Sequence, residues 1–205
     1  MGQEVMSDRQ MLLLARRTIH QELQVLEAVM DALGDSFLAC ARLLVGCEGL
    51  VWVTGVGTSA AVGQRFSHIL SCCGVRAMFL SPADGLHGHS AVLTPADLLV
   101  AMSRGGESDE VNEMVSIAKQ LGTTTVAFVH NTASTLARTC HHVLPICSPT
   151  EYELMGYLAT TSTVVFSAVC DALCAVVVEV KGFTPEQLGE VHPGGAVGKS
   201  FATRK

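Results

Sequence analysis

Charge is scarce in this chain, and the little there is has no pattern that nucleic acid would recognise. Only 16% of the 205 residues are Asp, Glu, Lys or Arg, the formal net charge is −6, and Lys and Arg form no run. A nucleic-acid footprint needs clustered basic residues, so that class of partner is not expected. Any anionic ligand must be held by local groups rather than by the field of the whole molecule. Paired cysteine motifs are missing too. Cys40, Cys47, Cys72, Cys73, Cys140, Cys147, Cys170 and Cys174 include no C-x-x-C pair, which removes zinc knuckles and thioredoxin-like centres. Cysteines used as small buried hydrophobes in a reduced cytoplasmic setting are the economical reading. Met1–Arg9 is polar, and the apolar patch Met11–Ala15 is short and followed by Arg16-Arg17, unlike a secretory leader. The most apolar stretch, Val164–Val180, contains Asp171 and Glu179 and reads as a core helix rather than a membrane span. There is no internal repeat and no low-complexity linker.

What is present is an apolar chain, 49% hydrophobic, long enough for one domain and rich enough to bury surface in subunit contacts. Residues 1–45 read as an N-terminal helical segment. Leu12, Ile19, Leu23, Leu26, Met30 and Leu33 form one stripe of a long helix from Asp8 to about Leu33, which packs on its own domain or across a neighbouring subunit. A second helix is predicted over Ser36–Val45. Short apolar runs then alternate with helical segments. Strands are predicted at Leu50–Thr54, Val75–Leu80, Leu98–Met102, Thr123–Val129 and His142–Ile146. Helices are predicted from the Gly55–Ser59 turn to Cys73-Gly74, over Ser108–Leu121, and largely over Tyr152–Val180. The stretch through His87-Gly88-His89 reads as a loop. The pattern predicts a three-layer α/β/α sandwich with a mainly five-stranded parallel sheet in residues 46–205. Ligands of such sheets sit at the carboxyl ends of the strands.

Two turns at that end are built from small residues. Ser103-Arg104-Gly105-Gly106-Glu107-Ser108 joins an apolar run to a helix start, and its glycines permit positive φ and close backbone approach. The first amides of the helix lack intrahelical partners, so the turn suits a phosphate group; alternatively Ser108 is only an N-cap. Gly55-Val56-Gly57-Thr58-Ser59 is the second such turn. It is not the G-x-G-x-x-G fingerprint, because Ala60 stands at the third glycine and Val75–Leu80 carries no acidic residue. A compact phosphate monoester therefore fits better than a dinucleotide. Four groups are candidates for proton chemistry beside it: Glu110 in the first turn of the helix after Ser108, Glu151 in an irregular segment, His87 in its loop, and His192 before Pro193-Gly194-Gly195. Glu107 reads as a helix-start residue, and His68, His130, His141 and His142 as packing or surface residues. His87 and His89 have strand-like metal spacing, but no third ligand is nearby. No metal or other cofactor is expected.

These motifs match a known family. The segments GVGTSAAVG, LHGHSAVLTPADLLVAMSRGGESDEV, Glu151…Gly156…ATTSTVV and FTPEQLGEVHPGGAVGK make the chain, from about Gly46 to Lys199, resemble the sugar isomerase (SIS) domain family, and within it the D-arabinose 5-phosphate isomerases. The resemblance implies a homotetramer whose active sites are completed by neighbouring subunits. It implies reversible conversion of ribulose 5-phosphate to arabinose 5-phosphate. Ser59, Ser103 and Ser108 fall on phosphate-binding positions, with Gly57, Thr58, Arg104 and Gly106 beside them. Glu110, Glu151 and His192 fall on positions implicated in catalysis, and His87 matches another site histidine. An enediol path needs a base to move a proton beside a carbonyl. A carboxylate shielded from water can do this, and Glu151 is the first choice. His192 would shuttle protons among oxygens, and Glu110 would position a hydroxyl.

Three departures bear on activity. The family places a lysine where this chain has Thr58, and threonine cannot neutralise developing negative charge. Gly105 replaces a serine, and Arg104 replaces a neutral polar residue. Arg104 is accordingly expected to supply the cation that Thr58 does not, so Arg104→Ala is expected to weaken sugar-phosphate binding more than Arg65→Ala. Many relatives continue into paired CBS modules, which are not expected here. The functional alternatives are an arabinose 5-phosphate isomerase, a non-catalytic phosphosugar-binding protein, and an isomerase of another sugar phosphate such as a hexulose 6-phosphate.

Overall fold

The computed structural model describes residues 6–202. In chain order the elements are α1 (Asp8–Asp31), α2 (Asp35–Gly46), β1 (Val51–Gly55), α3 (Gly57–Cys72), β2 (Ala77–Phe79), α4 (Pro82–Leu86), β3 (Leu98–Met102), α5 (Asp109–Gln120), β4 (Thr124–Val129), α6 (Thr135–Thr139), β5 (His142–Pro145), α7 (Thr161–Lys181), α8 (Pro185–Val191) and α9 (Gly195–Ala202). Short 3-10 turns occupy His89–Val92 and Thr150–Tyr152.

The strands form one parallel sheet in the order β2-β1-β3-β4-β5, with Val53 level with Val100 and Val100 level with Val126. Side chains alternate across it. Val51, Val53, Leu98, Val100, Val126 and Phe128 join the core beneath α2, α3 and α7, while Trp52, Leu99, Ala101, Ala127 and Val129 join the core beneath α5 and α6. Helices on both faces leave neither side to water, which is why β1 and β3 are buried along their whole length and, Thr54 apart, apolar. The expected three-layer α/β architecture is therefore present. After β1 the chain steps outward to β2 and then returns across β1 to β3. Helices α3 and α5 consequently leave the carboxyl ends of adjacent strands toward opposite faces. This opens a crevice between the β1 and β3 turns, where doubly wound sheets bind ligands.

α1 begins with a capping box, Ser7 Oγ accepting the Gln10 N–H at 3.4 Å and the Gln10 side chain accepting the Ser7 N–H at 2.8 Å. Its second half buries Val25 and Val29 and packs on α7, whereas Leu12, Leu13, Ile19 and Leu23 remain exposed in the single chain. Helix α7 has the length and apolarity of a membrane span, yet α1, α2 and α3 pack along it. Its start corrects the expected helix from Tyr152. Met155 and Gly156 both take left-handed backbone (φ 56° and 75°), and the helix begins at Thr161. The loop expected around His87 contains α4 and a 3-10 turn, and α6 was not anticipated. Not every cysteine is a buried hydrophobe either: Cys40, Cys140, Cys170 and Cys174 are buried, Cys147 is exposed, and all are free thiols.

Asp97 ties the entrance of the sheet together. Its carboxylate accepts the N–H groups of Leu50 (2.6 Å) and Thr94 (2.8 Å) and the indole N–H of Trp52 (3.3 Å). Gly49 lacks a Cβ that would lie 2.2 Å from Asp97 Oδ1. Burial works against ionisation of Asp97, but the Leu50, Thr94 and Trp52 donors prevail and hold its pKa below the ordinary value. A depressed folded-state pKa gives stability that is complete above the unfolded value, about pH 4, and is lost as pH falls through the folded value. Asp97→Ala is expected to cost about 3 kcal/mol at neutral pH. It is also expected to flatten the acid limb of stability, measured as urea midpoints from neutral pH downward.

Candidate functional site

The β3–α5 turn is stitched by its own hydroxyls. Ser103 Oγ accepts the Gly106 N–H at 3.1 Å and lies 3.2 Å from Ser108 Oγ. Ser108 is the N-cap of α5 by position, but its hydroxyl makes no capping bond to the helix. Of the two readings of this serine, simple capping is thus not how its hydroxyl is used. Gly106 has φ 71°, and a Cβ there would sit 2.1 Å from Ser134 Oγ; its carbonyl accepts the Leu136 N–H at 3.0 Å. The turn has to be glycine at this position to lie against the start of α6. Glu107 faces away, accepting the Thr135 N–H at 2.9 Å, and that bond lowers its pKa.

The β1–α3 turn lies beside it. Gly57 begins α3 with φ 57°, and its N-cap, Val56, offers no side-chain cap, so the first amides of α3 keep their positive end toward solvent. Thr58, Ser59 and Arg104 together with Ala159, Ser162 and Thr163 line one small cleft of ≈ 30 Å³ over Val62 and Phe166. The cleft therefore joins the β1 turn, the β3 turn and the N-terminus of α7. A larger cavity, ≈ 310 Å³, is lined by Arg42, Glu48, Asp97 and Thr124 at the opposite, amino end of the sheet.

Arg104 is half-buried, and its guanidinium reaches the segment between β5 and α7. Nε donates to Ser148 O (3.1 Å) and Ser148 Oγ (3.2 Å), and Nη2 donates to Ser148 O (2.5 Å) and Thr150 Oγ1 (3.0 Å). Nε also lies 3.3 Å from Glu153 Oε1, whose side chain is 1% exposed. Glu153 in turn accepts the Thr160 N–H at 2.7 Å and the Ser162 N–H at 3.2 Å. It caps α7, whose own N-cap residue makes no side-chain cap bond. His130 closes the network. Its backbone N–H donates to Arg104 O at 2.9 Å, and its Nδ1 accepts the Ser148 N–H at 3.1 Å. Burial and then the Arg104 charge lower its pKa, opposed by a backbone hydrogen bond to Ile146 and the charge of Glu151, which suits the neutral ring needed for acceptance.

Thr58, Ser59 and Arg104 thus share the cleft, with Ser103, Gly106 and Ser108 in the adjoining turn. Glu110 is exposed in the first turn of α5. Glu151 is exposed in the 3-10 turn directly after the residues that Arg104 holds. The shielding from water expected of Glu151 is therefore not supplied by the single chain. His87, at the C-cap of α4, and His192, at the C-cap of α8, do not line the cleft. Gly198 packs on the backbone of His192 and Pro193, where a Cβ would approach to 2.4 Å, so the HPGGAVG run folds tightly on itself. Among the described residues no group of three or more His, Cys, Asp or Glu side chains is placed to share a metal ion. Sequence reading assigns His130 to packing or surface and passes over Glu153 altogether. A second carboxylate in the same irregular segment is the available signal for Glu153.

The profile of the SIS domain matches residues 46–176. Arabinose 5-phosphate isomerase KpsF of Escherichia coli is 33% identical over 192 residues, covering 92% of this chain and 60% of that protein. Arabinose 5-phosphate isomerase KdsD of Pseudomonas aeruginosa is 32% identical over 185 residues, covering 90% of this chain and 57% of that protein. The chain thus spans less than two thirds of the length of these relatives. Among solved structures, E. coli CFT073 c3406 in complex with arabinose 5-phosphate superposes with a TM-score of 0.88 at 26% identity, covering 92% of this chain and all of that one.

Proposed function

Because the chain belongs to the SIS domain family, we propose that it is an aldose–ketose isomerase of a sugar phosphate, interconverting D-ribulose 5-phosphate and D-arabinose 5-phosphate. The observation that carries this reading is the meeting of two helix N-termini, two hydroxyl-bearing turns and one guanidinium at the carboxyl end of the sheet. That is the equipment of an anion site, and the curated relatives are named for this isomerisation.

In the proposed mechanism the phosphate lies against Gly57, Thr58 and Ser59 on one side and Ser103, Gly106 and Ser108 on the other. Arg104 stands at the cleft wall in the part expected of the lysine, with its charge shared with Glu153. Glu151 takes the proton from the hydroxyl-bearing carbon next to the aldehyde. The electron pair left behind forms the carbon–carbon double bond of the enediol. The former carbonyl oxygen gains a proton and the neighbouring hydroxyl oxygen loses one, a transfer assigned to His192 and assisted by Glu110. Glu151 then returns its proton to the former aldehyde carbon, giving the ketose with no net change in protons or electrons.

The position of His87 and His192 outside the cleft lining, together with the exposure of Glu151, supports completion of the site by a neighbouring subunit. Exposed Leu12, Leu13, Ile19 and Leu23 on α1 support burial against another subunit, in the homotetramer that the family resemblance implies. The free cysteines support a reducing cytoplasmic setting.

Thr58 favours one other reading, a phosphosugar-binding protein without turnover. Proton exchange separates the two. Incubated in deuterated water with arabinose 5-phosphate or ribulose 5-phosphate, the protein is expected to place deuterium on the carbon beside the carbonyl, read by NMR. Binding without exchange over a panel of pentose and hexose phosphates would establish the binder. Exchange confined to a hexulose phosphate would reassign the substrate.

A further inference from the structure

We infer that Glu153 is a positioning residue that holds the Glu151 segment, the Arg104 turn and the start of α7 in one arrangement; the inference rests on the isomerase reading of Glu151. Three observations carry it. First, Glu153 is almost wholly buried and ionisable, a costly placement unless its oxygens are occupied. They are: Oε1 faces Arg104 Nε and the Ser162 N–H, and Oε2 takes the Thr160 N–H. Second, two of the groups that Glu153 holds lie on different sides of the cleft. Arg104 lines it from the β3 turn and Ser162 from α7, and Glu151 stands two residues away in the chain. Third, the tie is closed into a ring. Arg104 donates to Ser148 O, the Ser148 N–H donates to His130 Nδ1, and the His130 backbone N–H donates back to Arg104 O. A segment without regular structure is thereby fixed to the turn that grips the phosphate. A group one ångström out of place can lose most of its catalytic advantage, and buried outer partners of this kind set the orientation of reacting groups.

Glu153 also balances the charge of Arg104. Replacing it with glutamine loosens the segment and at the same time leaves the guanidinium uncompensated beside the phosphate. The two effects pull apart the two kinetic constants, which general loss of the site would not do. Glu153→Gln is expected to lower kcat roughly 10- to 100-fold while KM for the sugar phosphate stays the same or falls. The amides of Thr160 and Ser162 are expected to exchange faster with deuterated water. Arg104→Lys approaches the tie from the other side, keeping the charge but losing the fork that grips Ser148 O and Thr150; kcat is expected to fall there too, with the melting temperature retained. Arg65→Ala, an exposed pair with Asp171 on the outside of α3, serves as the unchanged control. The inference is overturned if Glu153→Gln keeps kcat within about twofold of the parent, or if KM rises in step with the loss of kcat. Unchanged amide exchange at Thr160 and Ser162 overturns it as well. Should the parent protein exchange no proton on any sugar phosphate while Glu153→Gln still exposes those amides, the isomerase reading fails and the tie itself stands.

Discussion

Glu151→Gln is expected to abolish isomerisation to within measurement, a fall of about 1,000-fold in kcat, with KM and melting temperature close to those of the parent. Glutamine keeps the size of the side chain and removes only its ability to take a proton. Glu151 is exposed on a 3-10 turn and makes no hydrogen bond among the described residues that the substitution would break, so the fold has little to lose. The loss therefore reads chemistry rather than stability. Deuterium exchange into substrate should vanish along with turnover, because both depend on the same proton transfer. Glu110→Gln is the contrast. Glu110 also complements the positive end of α5, and its assigned part is to position a hydroxyl. Near-normal turnover in Glu151→Gln would remove Glu151 as the base.

The second large effect falls on binding. Gly106→Ala is expected to weaken the affinity for sugar phosphate roughly 10- to 100-fold, the equivalent of one or two charge-assisted hydrogen bonds. Two strains act together. An alanine at φ 71° costs about 1 to 2 kcal/mol in the left-handed region, and its Cβ meets Ser134 Oγ and Cβ at 2.1 and 2.5 Å. Ser134 cannot withdraw freely, because it is buried and its hydroxyl caps α6 through the Ala137 N–H. The turn has to move instead. That movement breaks the bond from the Leu136 N–H to Gly106 O and separates Ser103 from Ser108. Calorimetric titration with sugar phosphate reads the effect directly. Adding Ser134→Gly should restore part of the affinity, since it removes the clash and leaves the φ strain. A Gly106→Ala protein that bound as tightly as the parent would place the phosphate elsewhere.

The sheet was legible because its signal is local. Short apolar runs bounded by turn residues mark buried strands wherever they occur, and Leu98–Met102, five residues without a charge, falls where it was expected. The start of α7 was misplaced because Leu154, Met155, Tyr157 and Leu158 look like the continuation of an apolar helix. They are instead exposed, Tyr157 at 93%, and the left-handed backbone at Met155 leaves no mark in composition. The short α4 and α6, five residues each, span too few turns to show a helical period. At the site, the Ser/Gly turns could be read because hydroxyl, glycine and helix start lie within one short stretch of chain. The roles of Glu153 and His130 could not, although a second carboxylate in the irregular segment hinted at Glu153. Their network depends on Arg104, which meets Ser148 and Thr150 across separations of 44 and 46 residues, and only the parallel sheet brings these segments together.

The stretch from 153 to 160 belongs to neither strand nor principal helix, yet it lies between two fixed ends, the Arg104 tie and the first turn of α7. Substitutions at Leu154, Met155, Tyr157 and Leu158 leave sheet register and core packing untouched, since these side chains contribute little to either. The turns proposed to hold the phosphate and this exposed stretch are therefore separate pieces of chain. A variant library confined to those four positions would change the exposed surface that leads into Ala159 of the cleft while leaving the proposed anchoring turns intact, so one can vary without dismantling the other.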